Sequence, residues 1–403
     1  MLLAEELASR AAVCVDNARR YARERATAVA LQRSLLPQHI PRQSALEVAT
    51  RYLPSGSRAG VGGDWYDVIP LSSSRVALVM GDVVGHGLAA SVTMGRLRTA
   101  VRTLADVDLE PDELLTHLDD VVIRLEREDS DPDDCALVSG PAGGISATCL
   151  YTVYDPISCS CSMASAGHIL PAIATPDGAV AFPDVPVGPP LGVGGLPFQT
   201  ATFELAEGSL LTLFTDGLIE GLGREDIDAG LAEIRDVLSE PSQPLESVCD
   251  LLLALLSPGR HTDDVAVLLA RTRALAPDQV AGWEIPNDPA AVSEARKITS
   301  SLLSAWDLEE AAFTTELVVS ELVTNAIRYG GDPIQLRLIR DAALVCEVSD
   351  GSSTAPHLRS ARLYDEGGRG LGLVAQLTDR WGTRHTPHGK TIWTEQSLPS
   401  GKS

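Results

Sequence analysis

An apolar run and a glycine-rich turn meet in the stretch Val76-Ala-Leu-Val-Met-Gly-Asp-Val-Val-Gly-His-Gly87. The apolar run predicts a β-strand, and Asp82 follows at its end. Glycine lets the backbone turn sharply and approach a ligand closely, so we expect the Asp82 carboxylate at the edge of a sheet. A single aspartate in such a place is typical of a turn. The repetition of this arrangement elsewhere in the chain indicates a functional site.

Three further segments place aspartates in the same setting, at or just beyond a β-rich run and mostly beside glycine. They are Gly62-Gly63-Asp64, Thr215-Asp216-Gly217 and Asp263-Asp264. Carboxylates that converge without His or Cys are hard oxygen ligands, which suit Mg²⁺ or Mn²⁺ rather than zinc or copper. Two such ions about 4 Å apart generate hydroxide at neutral pH and hold a phosphoryl group for in-line displacement. The aspartates therefore predict metal-dependent hydrolysis of a phosphate ester.

The composition places these motifs in a globular chain. The 403 residues suggest two or three domains, and 44% hydrophobic with 22% charged residues exclude a disordered or collagenous protein. The net charge of −23 argues against unaided binding to nucleic acid or to anionic membranes, because both require Lys and Arg. The longest apolar run, Leu251 to Leu256, is far shorter than a membrane span. No secretory signal is recognisable at the N-terminus, so we expect a cytoplasmic protein.

Residues 1–36 contain neither proline nor glycine and predict a long helix. A seam recurs along it at alternating spacings of four and three residues: Leu7, Ala11, Cys14, Ala18 and Tyr21. Such a seam is typical of a coiled coil, but Arg25 occupies its next position. Homodimerisation through the helix and packing of the helix on its own domain therefore both remain open. Pro37 and Pro41 end the helix.

Residues 37–271 form one predicted α+β domain, because short β-rich runs alternate there with helical stretches. The clearest β-rich runs are 47–53, 76–80, 148–154, 210–215 and 265–269. The Pro/Gly-rich stretch 183–197 is interpreted as a surface loop, since alternating strands resume after it.

A second domain is predicted over residues 282–398, after a linker at 272–281 that contains Pro277. The pattern within it is a strand at 283–286, helices at 289–305 and 309–329, and further strands.

The motifs of the first domain resemble those of a known family. In order along the chain they read Val61-Gly-Gly-Asp-Trp-Tyr-Asp67, Gly81-Asp-Val-Val-Gly-His-Gly-Leu-Ala-Ala90, Ser165-Ala-Gly-His168, Pro190-Leu-Gly-Val193, Leu213-Phe-Thr-Asp-Gly-Leu-Ile-Glu220 and Thr262-Asp-Asp-Val265. This succession resembles the SpoIIE/RsbU branch of the PPM-type metal-dependent serine/threonine phosphatases, from about Leu31 to Arg271. The resemblance implies an αββα sandwich with a centre of two Mn²⁺ or Mg²⁺ ions between the sheets.

The resemblance also implies roles for individual residues. Asp82 would bridge both ions, and the carbonyl of Val83 would bind one of them. Asp64 would hold the second ion directly or through water, which makes Asp64 and Asp82 the catalytic candidates. Asp216 and Asp264 would complete the metal centre.

Several residues beside these ligands have supporting or undecided roles under the same resemblance. Asp67 and Asp263 would support the metal ligands. His86 and His168 are interpreted equally well as hydrogen-bonded turn histidines or as catalytic groups. A helix is expected from Leu88 to Thr103, with its N-terminus beside the metals.

The N-terminal helix resembles the end of a sensor. The segment Leu31-Gln-Arg-Ser-Leu-Leu-Pro-Gln38 resembles the connection between a sensory domain and these phosphatases, and residues 1–25 resemble the last helix of a GAF domain. The body of such a sensor is missing, so we expect a chain cut within a longer protein or an assigned start too far downstream.

A second set of motifs lies in the C-terminal domain. Glu321 and Asn325 are four residues apart on a predicted helix, so they share a face. A glutamate can act as a base, and an asparagine amide can complete the coordination of Mg²⁺. The predicted strand 343–348 ends in Ser349-Asp350-Gly351, and Glu366-Gly-Gly-Arg-Gly-Leu-Gly-Leu-Val374 places a glycine-rich turn before a helix, where free N–H groups can hold phosphate.

Together with Gly389-Lys-Thr-Ile-Trp393, these motifs resemble the GHKL (Bergerat) ATP-binding α/β sandwich, in the anti-sigma-factor serine kinase branch typified by RsbW. The resemblance implies that Asn325 binds Mg²⁺, Asp350 the adenine amino group of ATP, and Thr391 the base pocket. Glu321 would be the catalytic base that activates a serine hydroxyl. The remaining residues expected to bind the nucleotide are Gly351, Gly368, Arg369, Gly370, Leu371 and Gly372.

One departure from the family pattern concerns phosphate transfer. The family usually shows Asp-x-Gly-x-Gly at this strand end, whereas this chain has Asp350-Gly-Ser-Ser-Thr354. The aspartate is kept and the later glycines are altered, so ATP binding is expected more firmly than efficient phosphotransfer.

The leading functional hypothesis is a bifunctional regulator of partner switching. The first domain would dephosphorylate a STAS-type antagonist of an anti-sigma factor, and the second would phosphorylate such an antagonist or sequester a sigma factor. Two alternatives stay open for the second domain: a binding module without catalysis, or a sensor of ATP that alters the phosphatase rate.

Overall fold

The computed structural model describes residues 10–17, 19–20, 23, 30, 34–41, 43–54, 62–85, 87–129, 145–222, 227–240, 242–256, 263–354, 370–386 and 389–398. None of the helices within these ranges combines the length and the apolar character that crossing a bilayer requires.

Strands and helices alternate in the N-terminal domain, as the sequence predicts. The strands are β1 (Leu46–Leu53), β2 (Trp65–Pro70), β3 (Val76–Val83), β4 (Ala147–Asp155), β5 (Ser160–Ala166), β6 (Ala172–Ala174), β7 (Val180–Ala181), β8 (Val187–Gly188), β9 (Ala201–Glu204), β10 (Leu210–Phe214) and β11 (Val265–Thr272). The helices are α1 (Leu88–Ala105), α2 (Pro111–Asp129), α3 (Asp216–Gly221), α4 (Ile227–Leu238) and α5 (Leu245–Ala254). The five β-rich runs and the helix expected from residue 88 are confirmed, with ends that differ by a few residues.

These strands form two sheets that pack face to face. One sheet has the order β1-β11-β10-β6-β7, and the other has the order β2-β3-β4-β5-β8 with β9 also paired to β5. Alternation along β11 sets the layers, because successive side chains point to opposite faces. Ala266 and Leu268 join the core between the sheets, whereas Val265, Val267 and Leu269 pack against α3, α4 and α5. Helices α1 and α2 cover the second sheet, which completes the expected αββα sandwich.

The hairpin of β2 and β3 has a distinct feature at each end. Its strands pair from Trp65↔Gly81 to Pro70↔Val76, so Asp64 and Asp82 lie together at the open end. The other end is a short 3₁₀ turn, Ser72–Ser74, in which Ser73 has a φ of 63° that L-residues rarely adopt. Ser73 is nevertheless only 1% exposed. The turn is therefore covered by another part of the protein.

The stretch 183–197 is only in part the surface loop that the sequence predicts. Strand β8 pairs in parallel with β5, and Leu191 exchanges two backbone hydrogen bonds with Ala147. Both Val185 and Leu191 are buried. Proline and glycine mark turns locally, but they do not reveal pairing with a distant strand.

The described residues between 10 and 35 are all helical, which agrees with the predicted N-terminal helix. Side chains 10–17, including the seam residues Ala11 and Cys14, are exposed, so this part of the helix does not pack on its own domain. The C-terminal end of the helix meets α1, where Leu35 lies against Gly95. Leu7, Ala18, Tyr21 and Arg25 lie outside the described residues, and dimerisation stays a prediction.

The C-terminal domain is a two-layer sandwich of one antiparallel sheet and a helical layer. Its strands are β12 (Val280–Ile285), β13 (Ile334–Arg340), β14 (Ala343–Asp350), β15 (Arg380–Thr386) and β16 (Gly389–Ser397), in the sheet order β12-β13-β14-β16-β15. Its helices are α6 (Ala291–Ala305), α7 (Glu309–Tyr329) and α8 (Gly370–Leu377). Val318 and Leu322 of α7 pack on Leu336, Cys346 and Val348 of the sheet.

The bounds of α7 are those predicted, whereas the first strand begins earlier than expected. β12 starts at Val280 because residues 280–285 pair in register with β13. The last two residues of the expected linker 272–281 therefore belong to a strand, and so does Thr272 at the end of β11.

Candidate metal centre and nucleotide pocket

The predicted metal ligands come from strand ends of both sheets in the first domain. Asp64 directly precedes β2 and Asp82 lies near the end of β3, both in the second sheet. Asp216 opens α3 just after β10, and Asp264 directly precedes β11, both at the first sheet. The side chains therefore approach one another from the two halves of the sandwich.

Glycines beside these aspartates make the close approach of the backbone possible. A Cβ on Gly62 would lie 1.8 Å from Asp264 Oδ2, and one on Gly63 would lie 2.3 Å from the carbonyl oxygen of Val83. A Cβ on Gly217 would lie 1.9 Å from the carbonyl oxygen of Asp264. Any larger residue would displace the loops that carry the carboxylates. The pairing of glycine with aspartate in the sequence thus has a steric cause.

The carboxyl groups are crowded and poorly compensated. Asp64 is 1% exposed, and its Oδ2 has no hydrogen-bond partner among the described residues. Burial, followed by the charge of Asp82, raises the pKa of Asp64 well above its usual value. Burial raises the pKa of Asp82 to about 6. Burial and the neighbouring Asp263 raise the pKa of Asp216. Divalent cations would relieve this repulsion.

Tyr52 is a residue of this site that the sequence reasoning missed. It lies on β1 opposite Ala266 of β11, and its hydroxyl donates a hydrogen bond to Asp264 Oδ2. Burial, followed by the charges of Asp264 and Asp64, raises the pKa of the hydroxyl, so Tyr52 stays a proton donor in this bond. A tyrosine in a strand is typical of a core position, and only the register of β1 against β11 shows that it reaches the carboxylates.

Within the described ranges, no three Asp, Glu, His or Cys side chains already converge on a point that suits a metal ion. Asp64 and Asp82 are close enough for each to influence the pKa of the other. The set still fits Mn²⁺ or Mg²⁺, because its donors are oxygens only and the buried Asp64 Oδ2 lacks a partner. The groups able to hold such ions are the carboxylates of Asp64, Asp82, Asp216 and Asp264 and the carbonyl of Val83.

Asp67 holds helix α1 against strand β2. Its fully buried carboxylate accepts hydrogen bonds from Arg98 Nε at 2.9 Å and from Arg102 Nε at 2.6 Å, both on α1. Arg98 also donates to the carbonyl of Leu35 at 2.6 Å. Asp67 therefore connects β2 to α1 and to the end of the N-terminal helix.

The remaining polar candidates have local partners. His168 Nδ1 lies 2.8 Å from Thr148 Oγ1, and burial lowers the pKa of His168 to about 4, so the ring is neutral at pH 7. This agrees with the interpretation of His168 as a hydrogen-bonded turn histidine. Asp263 accepts a hydrogen bond from the backbone N–H of Asp264 at 2.8 Å. His86 lies outside the described residues.

In the C-terminal domain, the start of α8 meets the two polar residues of α7. A Cβ on Gly370 would lie 2.3 Å from Glu321 Oε2 and 3.8 Å from Asn325 Nδ2. Gly370, Leu371 and Gly372 lie at the beginning of α8 as the structure describes it. The preceding part of the predicted glycine-rich turn, from Glu366, lies outside the described residues. Gly368 and Arg369 lie outside the described residues.

Asp350 closes β14 in a confined setting. Its Oδ1 accepts hydrogen bonds from Lys390 Nζ at 2.8 Å and from the backbone N–H of Ser352 at 2.9 Å. A Cβ on Gly330 would lie 2.6 Å from the Asp350 carboxyl carbon, and the N–H of Gly351 donates to the carbonyl of Gly331 at 2.7 Å. Asp350 and Lys390 are each 5% exposed. Lys390 is a second residue that the sequence reasoning missed.

The structure does not bring the Thr391 side chain to Asp350. Asp350 pairs with Lys390 across β14 and β16, and Ser349 pairs with Thr391. Successive residues of a strand point to opposite faces. Thr391 therefore lies on the face away from α7, where its hydroxyl is 2.8 Å from Ser349 Oγ.

Two family profiles match the chain over these two domains. One, described as Stage II sporulation protein E (SpoIIE), matches residues 72–273, which is half of the chain. The other, described as Histidine kinase-like ATPase domain, matches residues 285–395.

Individual proteins agree with this division. Phosphoserine phosphatase RsbU of Bacillus subtilis (strain 168) is 24% identical over 249 residues, which is 60% of this chain and 68% of that protein. The crystal structure of the RsbU and RsbW domains of Rv1364c from Mycobacterium tuberculosis is 26% identical, with a TM-score of 0.53, and covers 90% of this chain and 96% of that one. The SiaA-PP2C domain of Pseudomonas aeruginosa, 18% identical with a TM-score of 0.50, covers 64% of this chain and 98% of that one and shares the fold.

The chain therefore combines an RsbU-like phosphatase domain with an RsbW-like ATPase domain of the GHKL type. With the αββα sandwich and the aspartate cluster in place, it belongs to the SpoIIE family of PPM-type serine/threonine phosphatases.

Proposed function

We propose that the N-terminal domain removes phosphate from a phosphoserine or phosphothreonine of a STAS-domain antagonist of an anti-sigma factor, with two Mn²⁺ or Mg²⁺ ions. The observation that carries this proposal is the crowding of buried carboxyl groups with raised pKa values at Asp64, Asp82 and Asp216. Such a cluster is electrostatically unfavourable without cations. Its oxygen donors suit hard cations such as Mn²⁺ and Mg²⁺.

The residues of the chain would divide the work as follows. The carboxylates of Asp64, Asp82, Asp216 and Asp264 and the carbonyl of Val83 would hold the ions. Divalent ions supply a hydroxide nucleophile at neutral pH and neutralise phosphoryl charge. The Tyr52 hydroxyl orients the Asp264 carboxylate by its hydrogen bond. Burial of Asp64 keeps water from competing for its oxygens.

Release of phosphate from a phosphoserine-bearing STAS protein tests this function. We expect release with Mn²⁺, no release with EDTA, and loss of release in Asp82→Asn and Asp264→Asn. Asp177→Asn, at an exposed turn far from these residues in sequence, serves as the matched control. If the Asp82→Asn and Asp264→Asn proteins release phosphate as fast as wild type, the phosphatase centre is wrongly assigned.

For the C-terminal domain we propose binding of ATP with Mg²⁺ and transfer of phosphate to a serine of a STAS partner. Asn325 would bind Mg²⁺, Asp350 the adenine amino group, and Glu321 would act as the base. The glycines at positions 351, 368, 370 and 372, with Arg369 and Leu371, would surround the nucleotide. The contact of Gly370 with Glu321 and Asn325 supports this assignment, as does the similarity to an RsbW domain.

A second candidate function for this domain is binding or sensing without catalysis. It is favoured by the pairing of Asp350 with Lys390 and by the placement of Thr391 on the other face of the sheet. Titration with ATP and Mg²⁺, followed by a transfer assay with a STAS protein, separates the cases. A sigma-factor scaffold neither binds ATP nor transfers phosphate, an ATP sensor binds without transfer, and a kinase does both.

The two activities together would regulate a sigma factor by partner switching. Sigma factors act on RNA polymerase inside the cell, so we place this function in the cytoplasm, with no direct nucleic-acid or membrane contact. Homodimerisation through the seam of the N-terminal helix, of which Ala11 and Cys14 are exposed, is part of the proposal, and analytical ultracentrifugation of the chain tests it.

A further inference from the structure

The C-terminal sheet has a second face, opposite to α6 and α7, which the functions proposed above do not use. Ile339, Val345 and Trp393 lie on this face, because their neighbours along the strands belong to the helical core. All three are at most 5% exposed. A sheet face that carries buried residues without helices over it is covered by another part of the protein.

The covering element includes the Ser72–Ser74 turn of the phosphatase domain. Ser73 Oγ donates a hydrogen bond to Glu347 Oε1 of β14. Arg384 of β15 donates from Nη1 to Ser72 Oγ at 3.1 Å and to Ser73 Oγ at 3.3 Å. Its Nη2 donates to the same Glu347 oxygen at 3.1 Å. Ser72, Ser73 and Glu347 are each at most 2% exposed.

The connection between the domains is held in place around this contact. The hydroxyl of Tyr154 donates to the carbonyl of Arg273 at 3.2 Å, and the N–H of Leu275 donates to the carbonyl of Pro156 at 3.0 Å. Away from the linker, Ser44 Oγ donates to Asp341 Oδ2 at 2.6 Å. The turn is thus one of several contacts between the two domains.

The buried charges at the serine turn are paired within each domain. On the C-terminal side, Glu347 forms ion pairs with Arg337 and Arg384, the second at 3.1 Å. On the phosphatase side, Arg75 and Asp108 form an ion pair at 2.7 Å, and Ser72 bonds to Asp108. At the turn itself, the bonds that cross between the domains have a serine hydroxyl as one partner. Beside it, Arg380 of β15 also pairs with Asp106 across the domains at 4.0 Å, but Arg380 has a second partner in its own domain, Glu395, at 3.2 Å. Separation of the domains would therefore leave the buried charges at the turn paired.

The contact between the serine turn and the C-terminal sheet also lies on the same strands as residues of both candidate sites. Glu347 lies three residues before Asp350 on β14, and Arg384 lies opposite Thr391 on β15 and β16. The serine turn connects β2 and β3, whose other ends carry Asp64 and Asp82, about 25 Å away at the rise of an extended strand. The contact is therefore connected to both candidate sites by continuous hydrogen-bonded strands.

We propose that the contact between the Ser72–Ser74 turn and the outer face of the C-terminal sheet is a regulatory docking interface, which makes phosphatase turnover depend on nucleotide in the C-terminal pocket. It rests on the nucleotide binding proposed above. A ligand that binds docked and separated forms with different affinity must shift the docking equilibrium, and docking must shift ligand affinity equally.

Ser73→Asp tests the interface in the full-length chain. Aspartate tolerates a positive φ better than most residues, so the turn is kept. Its carboxylate would replace the hydroxyl that donates to Glu347 and would compete with Glu347 for Arg384 in a buried position, so docking is disfavoured. Ser73→Asn is the matched neutral control, because its amide can donate to Glu347. Ser74→Asp is the matched charged control, since Ser74 also has a φ of 63° but lies beside the contact with Glu347 and not in it.

Two measurements decide the outcome. Small-angle scattering should give a larger radius of gyration for Ser73→Asp than for wild type and both controls. Hydrolysis of para-nitrophenyl phosphate with Mn²⁺ should change by about fivefold or more when a non-hydrolysable ATP analogue with Mg²⁺ is added to wild type, the lower end of typical coupling. Ser73→Asp should keep its basal rate and its affinity for the analogue to within about threefold, and lose the response.

Each contrary result has a distinct meaning. An unchanged radius of gyration for Ser73→Asp would overturn the docking role of the turn. A wild-type chain that binds the analogue without any change in rate would overturn the regulation and leave the nucleotide pocket intact. A chain that binds no nucleotide by calorimetry would overturn both the regulation and the proposed nucleotide pocket, while the phosphatase assignment would stand on its Mn²⁺ dependence.

Discussion

The buried aspartates of the two candidate sites have opposite electrostatic surroundings. In the phosphatase domain, Asp64 and Asp82 lie together among further carboxylates, and Asp64 Oδ2 has no hydrogen-bond partner within the described part of the chain. In the C-terminal domain, Asp350 is bonded to Lys390 Nζ at 2.8 Å and to a backbone N–H. In the first site no basic side chain among the described residues pairs with Asp64 or Asp82 and burial raises their pKa values, whereas in the second site a lysine already pairs with the aspartate.

This difference indicates how each site would take up a ligand. A cation entering the aspartate cluster relieves repulsion and fills an empty hydrogen-bonding position, so binding is favoured by the state of the free protein. A base entering beside Asp350 would meet a carboxylate whose Oδ1 already accepts hydrogen bonds from Lys390 and Ser352. We therefore expect the electrostatics of the free protein to favour metal binding more than nucleotide binding.

The largest effect is expected from Asp64→Asn, which removes one charge from the crowded cluster. Phosphatase activity should fall by more than about 100-fold, beyond the range typical of residues that only support a metal ligand. The melting temperature of the metal-free protein should rise, because a repulsive buried carboxyl group has become neutral. Activity with Mn²⁺ and differential scanning fluorimetry check both outcomes. A lower melting temperature together with full activity would contradict the contrast between the sites.

Tyr52→Phe tests whether the cluster depends on the hydrogen bond that Tyr52 donates to Asp264. We expect the apparent affinity for Mn²⁺ to fall by about 10-fold, with a smaller change in kcat at saturating Mn²⁺, because the hydroxyl orients Asp264 without touching substrate. Tyr66→Phe is the matched control, since the Tyr66 hydroxyl bonds to Thr50 at 3.2 Å. Equal losses in the two variants would show that the Tyr52 hydroxyl has no special part.

Binding of Mn²⁺ to the phosphatase domain should depend on pH. Burial raises the pKa of Asp82 to about 6 from 3.8, so a proton must leave before a cation binds at lower pH. Affinity for Mn²⁺ should fall by about tenfold per pH unit below 6. The folded state binds more protons than the unfolded state between these values, so this group stabilises the metal-free protein at low pH and loses that contribution as the pH rises through 6. Thermal melts of the metal-free protein from about pH 4 to about pH 7 check the sign, and Asp82→Asn should give a shallower dependence than wild type.

Much of the fold could be predicted because its signals are local. Helix α7 has the predicted bounds, and the β-rich runs become strands, since hydrophobic periodicity and proline or glycine breaks act over a few residues. The aspartates beside glycine are also local signals. The close approach of Gly62 to Asp264 explains why glycine is needed beside these aspartates, although the two residues are far apart in sequence.

The features that were missed depend on strand register. Tyr52 reaches Asp264 across 212 residues of sequence, and Lys390 reaches Asp350 across 40. A shift of one residue moves every side chain to the other face of a strand. The same rule explains Thr391, which is one residue from Lys390 and for that reason faces away from Asp350. The order of motifs identifies a family, but it does not show which face a residue occupies.

A smaller effect is expected from Lys390→Met, which removes the cation that holds Asp350. The free domain should lose stability, because a buried carboxylate is left without its partner. Adenine would then restore part of the lost bonding, so ATP affinity should rise by about fivefold, or roughly 1 kcal/mol. Isothermal titration below the melting temperature measures this, with Lys297→Met, an exposed lysine, as control. A fall in affinity would mean that Lys390 contacts the nucleotide itself.

The smallest effect on nucleotide binding is expected from Thr391→Val. This change removes the bond to Ser349 and so should destabilise the domain by about 1 kcal/mol. ATP affinity should change by less than about twofold, as for a residue outside the site. Asp350→Asn, one strand pair away, should in contrast weaken ATP binding clearly. If Thr391→Val weakens ATP as strongly as Asp350→Asn does, the base pocket extends to the outer face of the sheet, and the two sites differ less than their charges suggest.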